Sequence, residues 1–103
     1  MSRRPEVVCL CGSMRFADQI RQANAQLTLE GLIVLAPGET SLATSEPLTP
    51  DQKAGLDALH RHKIDLADRV LVINPGGYIG DSTRGEIEYA RSKGKPVLFT
   101  GQR

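Results

Sequence analysis

The last third of the chain constrains its fold most: from Ala67 to Phe99 it reads ADRVLVINPGGYIGDSTRGEIEYARSKGKPVLF. The apolar run Val70-Leu71-Val72-Ile73 has the length and branching of a buried strand. It empties through a Gly-rich loop into a helix that opens on Asp81-Ser82-Thr83 and ends at Gly94, and Pro96-Val97-Leu98-Phe99 then reads as another strand. A strand that runs through a flexible loop into a helix N-terminus suits an anionic ligand, because unpaired N–H groups point at it. The same unit stands at the other end, where Val7-Val8-Cys9-Leu10-Cys11 leads into Gly12-Ser13-Met14-Arg15.

The middle of the chain repeats the alternation. Ser13 can cap a helix whose apolar positions Phe16, Ile20, Ala23 and Leu27 keep helical spacing and which Gly31 terminates. Leu32-Ile33-Val34-Leu35 reads as a second buried strand, stopped by Pro37-Gly38. Thr49 as cap and Pro50 in the first position start a helix to about Leu66, with Leu56, Leu59, Lys63 and Leu66 expected on its inner side. Strands that alternate with helices predict an α/β fold: a compact, doubly wound (Rossmann-like) parallel sheet of about four strands flanked by helices, with right-handed crossovers. Residues 1–103 are expected to form one domain. Residues 38 to 50, rich in Ser, Thr and Pro, lack periodicity, and a loop that long in so small a domain is expected to be functional, disordered or packed on a partner.

Charge excludes some partners. Thirteen Lys and Arg against twelve Asp and Glu leave no clustered basic surface for a nucleic-acid backbone, and Arg3-Arg4 reads as a solvated terminus. No apolar run approaches a membrane span and no secretory signal precedes the first strand, so a cytoplasmic protein is expected. Cys9 and Cys11, two apart on a strand, share one face. That spacing bridges badly and is poor for a metal without further ligands, so small buried core residues and no metal or cofactor are expected. His60 and His62 diverge on their helix, which leaves His62 at the surface.

In an open parallel sheet, ligands bind outside the carboxyl ends of the strands. Those ends gather Gly12-Ser13-Met14-Arg15, Pro37-Gly38-Glu39 and residues 74–81 around one crevice, with Glu39, Asp81 and Glu86 as its carboxylates. Glu86 has two readings: it faces the crevice, or it closes a Thr83-x-x-Glu86 capping box by reaching back to its own helix. Asp81 is either an N-cap or an acceptor for ligand hydroxyls. Ser82, Thr83 and Arg84 can hold a phosphate, and Gly76, Gly77 and Gly80 either let backbone approach a ligand or simply make the turn. The loops lack the P-loop lysine and the dinucleotide glycine pattern.

Taken together, Cys11-Gly12-Ser13-Met14-Arg15, Ala67-Asp68 before a strand, Gly85-Glu86-Ile87-Glu88-Tyr89-Ala90 and Gly94-Lys95-Pro96-Val97 resemble the nucleoside 2-deoxyribosyltransferase superfamily, which includes the deoxynucleoside 5′-monophosphate N-glycosidases. The resemblance spans nearly the whole chain, and it implies a homodimer or larger homo-oligomer in which a neighbouring subunit completes the pocket. It implies cleavage of the bond between a base and a deoxyribose in a small nucleoside or nucleotide. It also implies Glu86 as nucleophile, Asp81 and Ser82 at the sugar or phosphate, and the Cys11–Arg15 loop with Gly12, Ser13 and Met14 as a pocket wall. Two positions depart from the pattern. The family's first-strand tyrosine falls on Cys9, and its base-handling aspartate falls on His60, which can serve as the acid itself; Asp57 and Asp65 are the alternatives.

Asn74-Pro75-Gly76-Gly77-Tyr78-Ile79-Gly80-Asp81 with Glu86 is also similar to the Pro-Gly-Gly motif of the cytokinin-activating phosphoribohydrolases, which cut the same bond in ribonucleotides. The spacing is longer here. A third reading is a nucleotide sensor that binds without turnover, marked by Cys9 and His60.

Overall fold

The computed structural model describes residues 4–101. Its sheet has four strands: β1 (Val7–Cys11), β2 (Ile33–Leu35), β3 (Arg69–Val72) and β4 (Val97–Phe99). They lie in the order β2-β1-β3-β4, and every pairing is parallel, with Val7 opposite Ile33, Cys11 opposite Val72 and Val72 opposite Phe99. Three helices connect them: α1 (Ala17–Leu29), α2 (Pro50–Leu66) and α3 (Asp81–Ser92). This is the expected doubly wound α/β architecture.

All five residues of β1 are buried, and their alternation divides the core in two. Val7, Cys9 and Cys11 join Ile64 and Ala67 at the end of α2, Val70 and Val72 of β3, and Ile87 and Ala90 of α3. Val8 and Leu10 point the other way, to Ile20 of α1 and to Ile73. Helices therefore cover both faces, α1 on one and α2 with α3 on the other. The direction of winding reverses between β1 and β3, and their carboxyl ends open where the chain can part.

Local signals act as their chemistry requires. The Thr49 hydroxyl accepts from Gln52 N–H while the Gln52 side chain accepts from Thr49 N–H, a reciprocal cap with Pro50 in the first turn. Gly31 (φ +92°) and Gly94 (φ +72°) end α1 and α3 in the left-handed region that glycine tolerates. Ser13 caps a single 3₁₀ turn, Met14–Phe16, and α1 begins only after it.

Three expectations are corrected. β2 is not a buried strand: it lies at the sheet edge with Ile33 41% exposed. The inner side of α2 is only partly the expected one: Leu56 and Lys63 are half-buried, but Leu59 and Leu66 are exposed and the buried residues are His60 and Ile64. A polar residue on the buried stripe shifts the apolar pattern away from the true contact face. Arg4 is not simply solvated, because its guanidinium grips the Asp68 carboxylate at 2.8 and 3.0 Å. Asp68 also accepts from Val7 N–H, and these contacts, Arg4 first, hold its pKa far below the usual carboxylate range. Arg3 lies outside the described residues. Among those residues, no helix is long and apolar enough to cross a membrane.

Ile64 is fully buried where α2 meets β1 and α3. Ile64→Ala should lower the free energy of unfolding by about 3 kcal/mol, the cost of lost burial plus an unfilled cavity. Urea denaturation checks this, and a loss below about 1 kcal/mol would mean that the junction is loosely packed.

Candidate active site

A cleft of about 450 Å³ opens over the carboxyl ends of β1 and β3 and is walled by α2 and α3. That volume falls within the range of about 300–1,000 Å³ usual for small-molecule sites. Gly12, Ser13 and Met14 form one wall, Pro37, Gly38, Thr40 and Leu48 another, and Tyr78 with Gly80 to Thr83 a third. Glu86 and His60 also line it.

Each loop is shaped by a close contact. A Cβ on Gly12 would stand 2.9 Å from the Ile73 carbonyl oxygen, so the β1 exit must be glycine to pass the end of β3. Beyond β3, Asn74 is fully buried and accepts from Gly101 N–H at 2.7 Å, while its own N–H donates to the Thr100 hydroxyl. These bonds pin the start of the Gly-rich loop to the chain leaving β4. Tyr78 then receives the Arg15 guanidinium over its ring at 4.0 Å and the edge of Phe16 at 5.8 Å, which joins the two loops across the cleft.

Glu86 does not close a capping box. α3 starts at Asp81 with Gly80 as N-cap and no side-chain cap bond, and Thr83 is buried in the first turn. Glu86 thus falls in the second turn, and its side chain, 16% exposed, points across the cleft to α2, where its Oε1 lies 3.7 Å from His60 Nε2. His60 Nε2 is also 3.3 Å from Cys11 Sγ and 3.7 Å from Cys9 Sγ. Four ionisable side chains from β1, α2 and α3 converge at the cleft floor.

Electrostatics at this floor disfavour the Glu86 anion. Burial dominates and raises its pKa above the ordinary carboxylate value, against the opposing pull of His60 and of the Cys11 thiol. Burial alone would lower the His60 pKa, but contact with Cys9 and the charge of Glu86 more than offset it, so the imidazolium is favoured. Cys9 is brought down to about 6, first by the hydrogen bond with Cys11 and further by His60, while Cys11 is pushed up by its contact with Cys9 and by burial.

The other expected residues divide. Gly12, Ser13, Met14, Gly80, Asp81 and Ser82 line the cleft, with the Asp81 carboxylate fully exposed at its rim beside Arg84. Cys11 is buried under the floor, and Arg15 reaches Tyr78 from the side. Gly76 (φ +67°) and Gly77 (φ +83°) form a turn away from the lining. Glu39 is not a crevice carboxylate: Arg21 of α1 holds it in a fork, with its Nε at 3.0 and 3.1 Å. Asp65 accepts from the Tyr89 hydroxyl at 2.7 Å, outside the lining, whereas Asp57 lines the cleft. Sequence reasoning missed Lys53, whose Nζ lies 3.3 Å from Ser82 Oγ. Its signal was present, since Lys53, Asp57 and His60 recur at i, i+4 and i+7 and form one face of α2.

Because the Glu86 charge supports the His60 imidazolium, Glu86→Gln should lower the His60 titration midpoint, leaving burial and Lys63 less opposed. Imidazole proton shifts followed by NMR against pH check this; an unchanged or higher midpoint would contradict the contact.

No protein-family model matches this sequence, and no curated protein sequence does. Among solved structures, the chain is similar to a 2-deoxyribosyltransferase from the psychrotolerant bacterium Bacillus psychrosaccharolyticus, with a TM-score of 0.77 at 20% identity over 92% of this chain and 72% of that one. That enzyme is described as a suitable biocatalyst for the industrial synthesis of antiviral and antitumoral nucleosides. The chain has the fold of that 2-deoxyribosyltransferase.

Proposed function

We propose that this protein cleaves or transfers at the N-glycosidic bond of a (deoxy)nucleoside or nucleoside 5′-monophosphate, with Glu86 as nucleophile. The observation that carries the reading is the Glu86 carboxylate, free of its own helix cap and presented at the floor of a cleft of nucleoside size. The likeness to a deoxyribosyltransferase supports it at the level of fold.

In this mechanism a Glu86 oxygen attacks the anomeric carbon as the carbon–nitrogen bond to the base breaks, giving a glycosyl ester. Water or a second base then attacks the same carbon and regenerates the carboxylate. The nucleophile must be ionised although burial disfavours the anion, and the His60 imidazolium beside it supplies the opposing charge. At 3.7 Å from Glu86, His60 stands on the nucleophile's side, so its role is to position and charge-balance Glu86. The leaving base departs from the opposite face into the open cleft and takes its proton from water there, while Asp57, which lines the cleft 3.8 Å from Lys53 Nζ, can accept a hydrogen bond from that base. Ser82, Lys53 and the uncapped start of α3 form the polar end, suited to a sugar hydroxyl or a 5′-phosphate, with Asp81 at the rim. Gly12, Ser13 and Met14 supply the facing wall.

The test is incubation with deoxyribonucleosides, ribonucleosides and their 5′-monophosphates, with free base followed by chromatography. The expected result is base release from a deoxyribosyl substrate that falls on the order of 10³-fold or more in Glu86→Ala, as for other lost nucleophiles. Release from ribonucleotides alone would favour the phosphoribohydrolase reading. Tight binding without release, or full release by Glu86→Ala, would overturn the assignment of Glu86.

A further inference from the structure

We propose that Cys9, Cys11 and His60 form a site for a thiophilic divalent cation, zinc by preference, which Glu86 closes as fourth ligand from the cleft side. The two sulfurs share one face of β1 because they are two residues apart on a strand. α2 brings His60 over them so that one donor atom from each residue lies within 4.8 Å of the others, and all three residues are buried. Their spacing matches what a metal demands. With metal–sulfur bonds of about 2.3 Å and metal–nitrogen bonds of about 2.05 Å, a tetrahedron has nitrogen–sulfur edges of about 3.6 Å. His60 Nε2 lies 3.3 and 3.7 Å from the two sulfurs. Its distance to Glu86 Oε1, 3.7 Å, is close to the nitrogen–oxygen edge of about 3.4 Å expected in the same polyhedron.

A merely structural packing of these groups explains less. Small apolar side chains would fill the space beneath the cleft, yet the chain places an imidazole there, 6% exposed, with its Nε2 turned to two thiols and a carboxylate. Two sulfurs with an imidazole select zinc or cobalt over magnesium or calcium, which prefer oxygen ligands. The spacing of the cysteines alone cannot signal this, because the third ligand lies some fifty residues along the chain. Binding displaces a proton from each thiol that is not already ionised and from the His60 imidazolium, and those protons pass to solvent; no oxidant or reductant is involved. The cleft, lined by His60 and Glu86, gives the ion its entry.

Occupancy has a consequence for chemistry, and this clause rests on the function proposed above. A cation that takes Glu86 and His60 removes the nucleophile and its partner together, so zinc inhibits base release reversibly.

The test uses the full chain, reduced and stripped with chelator, titrated with Co²⁺ as a spectroscopic probe. The expected result is one equivalent bound with an intense sulfur-to-cobalt charge-transfer band in the near ultraviolet and tetrahedral d–d bands in the visible, both bleached by Zn²⁺. Cys9→Ser and Cys11→Ser should each remove about half of the charge-transfer intensity, as one of two sulfur ligands is lost. Absence of the band in folded wild-type protein, verified by circular dichroism, would overturn the site even if the variants fail to fold. The spectrum is independent of turnover, so a protein that binds cobalt through sulfur but releases no base keeps the metal site and loses the glycosidic reading.

Discussion

Everything in this fold depends on β1 being buried on both faces. Five consecutive buried residues leave no alternative to a central strand, flanked by β2 and β3 and covered by helices above and below. Because its side chains alternate, one face is committed to α1 and the other to α2 and α3. The winding reversal beside it then fixes where the loops part, and the close approach of Gly12 to the Ile73 carbonyl leaves that exit no room for a side chain. The cleft is a result of the topology, and its chemistry comes from what α2 and α3 carry over the strand ends.

What they carry is unusual for a core junction. His60, Glu86, Cys9 and Cys11 meet at the point where three elements pack, a place where ionisable groups are costly unless they satisfy one another. Here they do: the carboxylate and the imidazole offset each other's burial, and the thiols share hydrogen bonds with both. Such mutual dependence is a reason to expect function, since shifted titrations and convergent donors gather where chemistry is done. It also means that these four residues are not independent, and their substitutions will not add.

The sequence made the architecture readable because its signals are local. Strand-length apolar runs, the Thr49-Pro50 start with Gln52, and the glycines at 31 and 94 all act within a few residues of themselves. The site was readable only in part. Glu86 and the Gly12–Met14 loop stand out by their place on a helix and at a strand end, but the rival capping box could be dismissed only once α3 was seen to begin at Asp81. The face of α2 was misread because its buried stripe contains His60, and hydrophobic periodicity cannot count a histidine as an inward residue. Glu39 was placed in the crevice because nothing local reveals that Arg21, eighteen residues away, takes it. The meeting of His60 with the cysteine pair is a tertiary fact, joined across about fifty residues, and no spacing rule contains it.

The central claim is that the Glu86 carboxylate addresses a sugar carbon. A crystal structure of the protein with a bound nucleoside or nucleoside monophosphate tests it most directly. The account predicts a Glu86 oxygen about 3–3.5 Å from the anomeric carbon, on the face opposite the base, as a near-attack geometry requires. A pentose seated elsewhere in the cleft, with Glu86 bonded only to His60 or to its own helix, would contradict it.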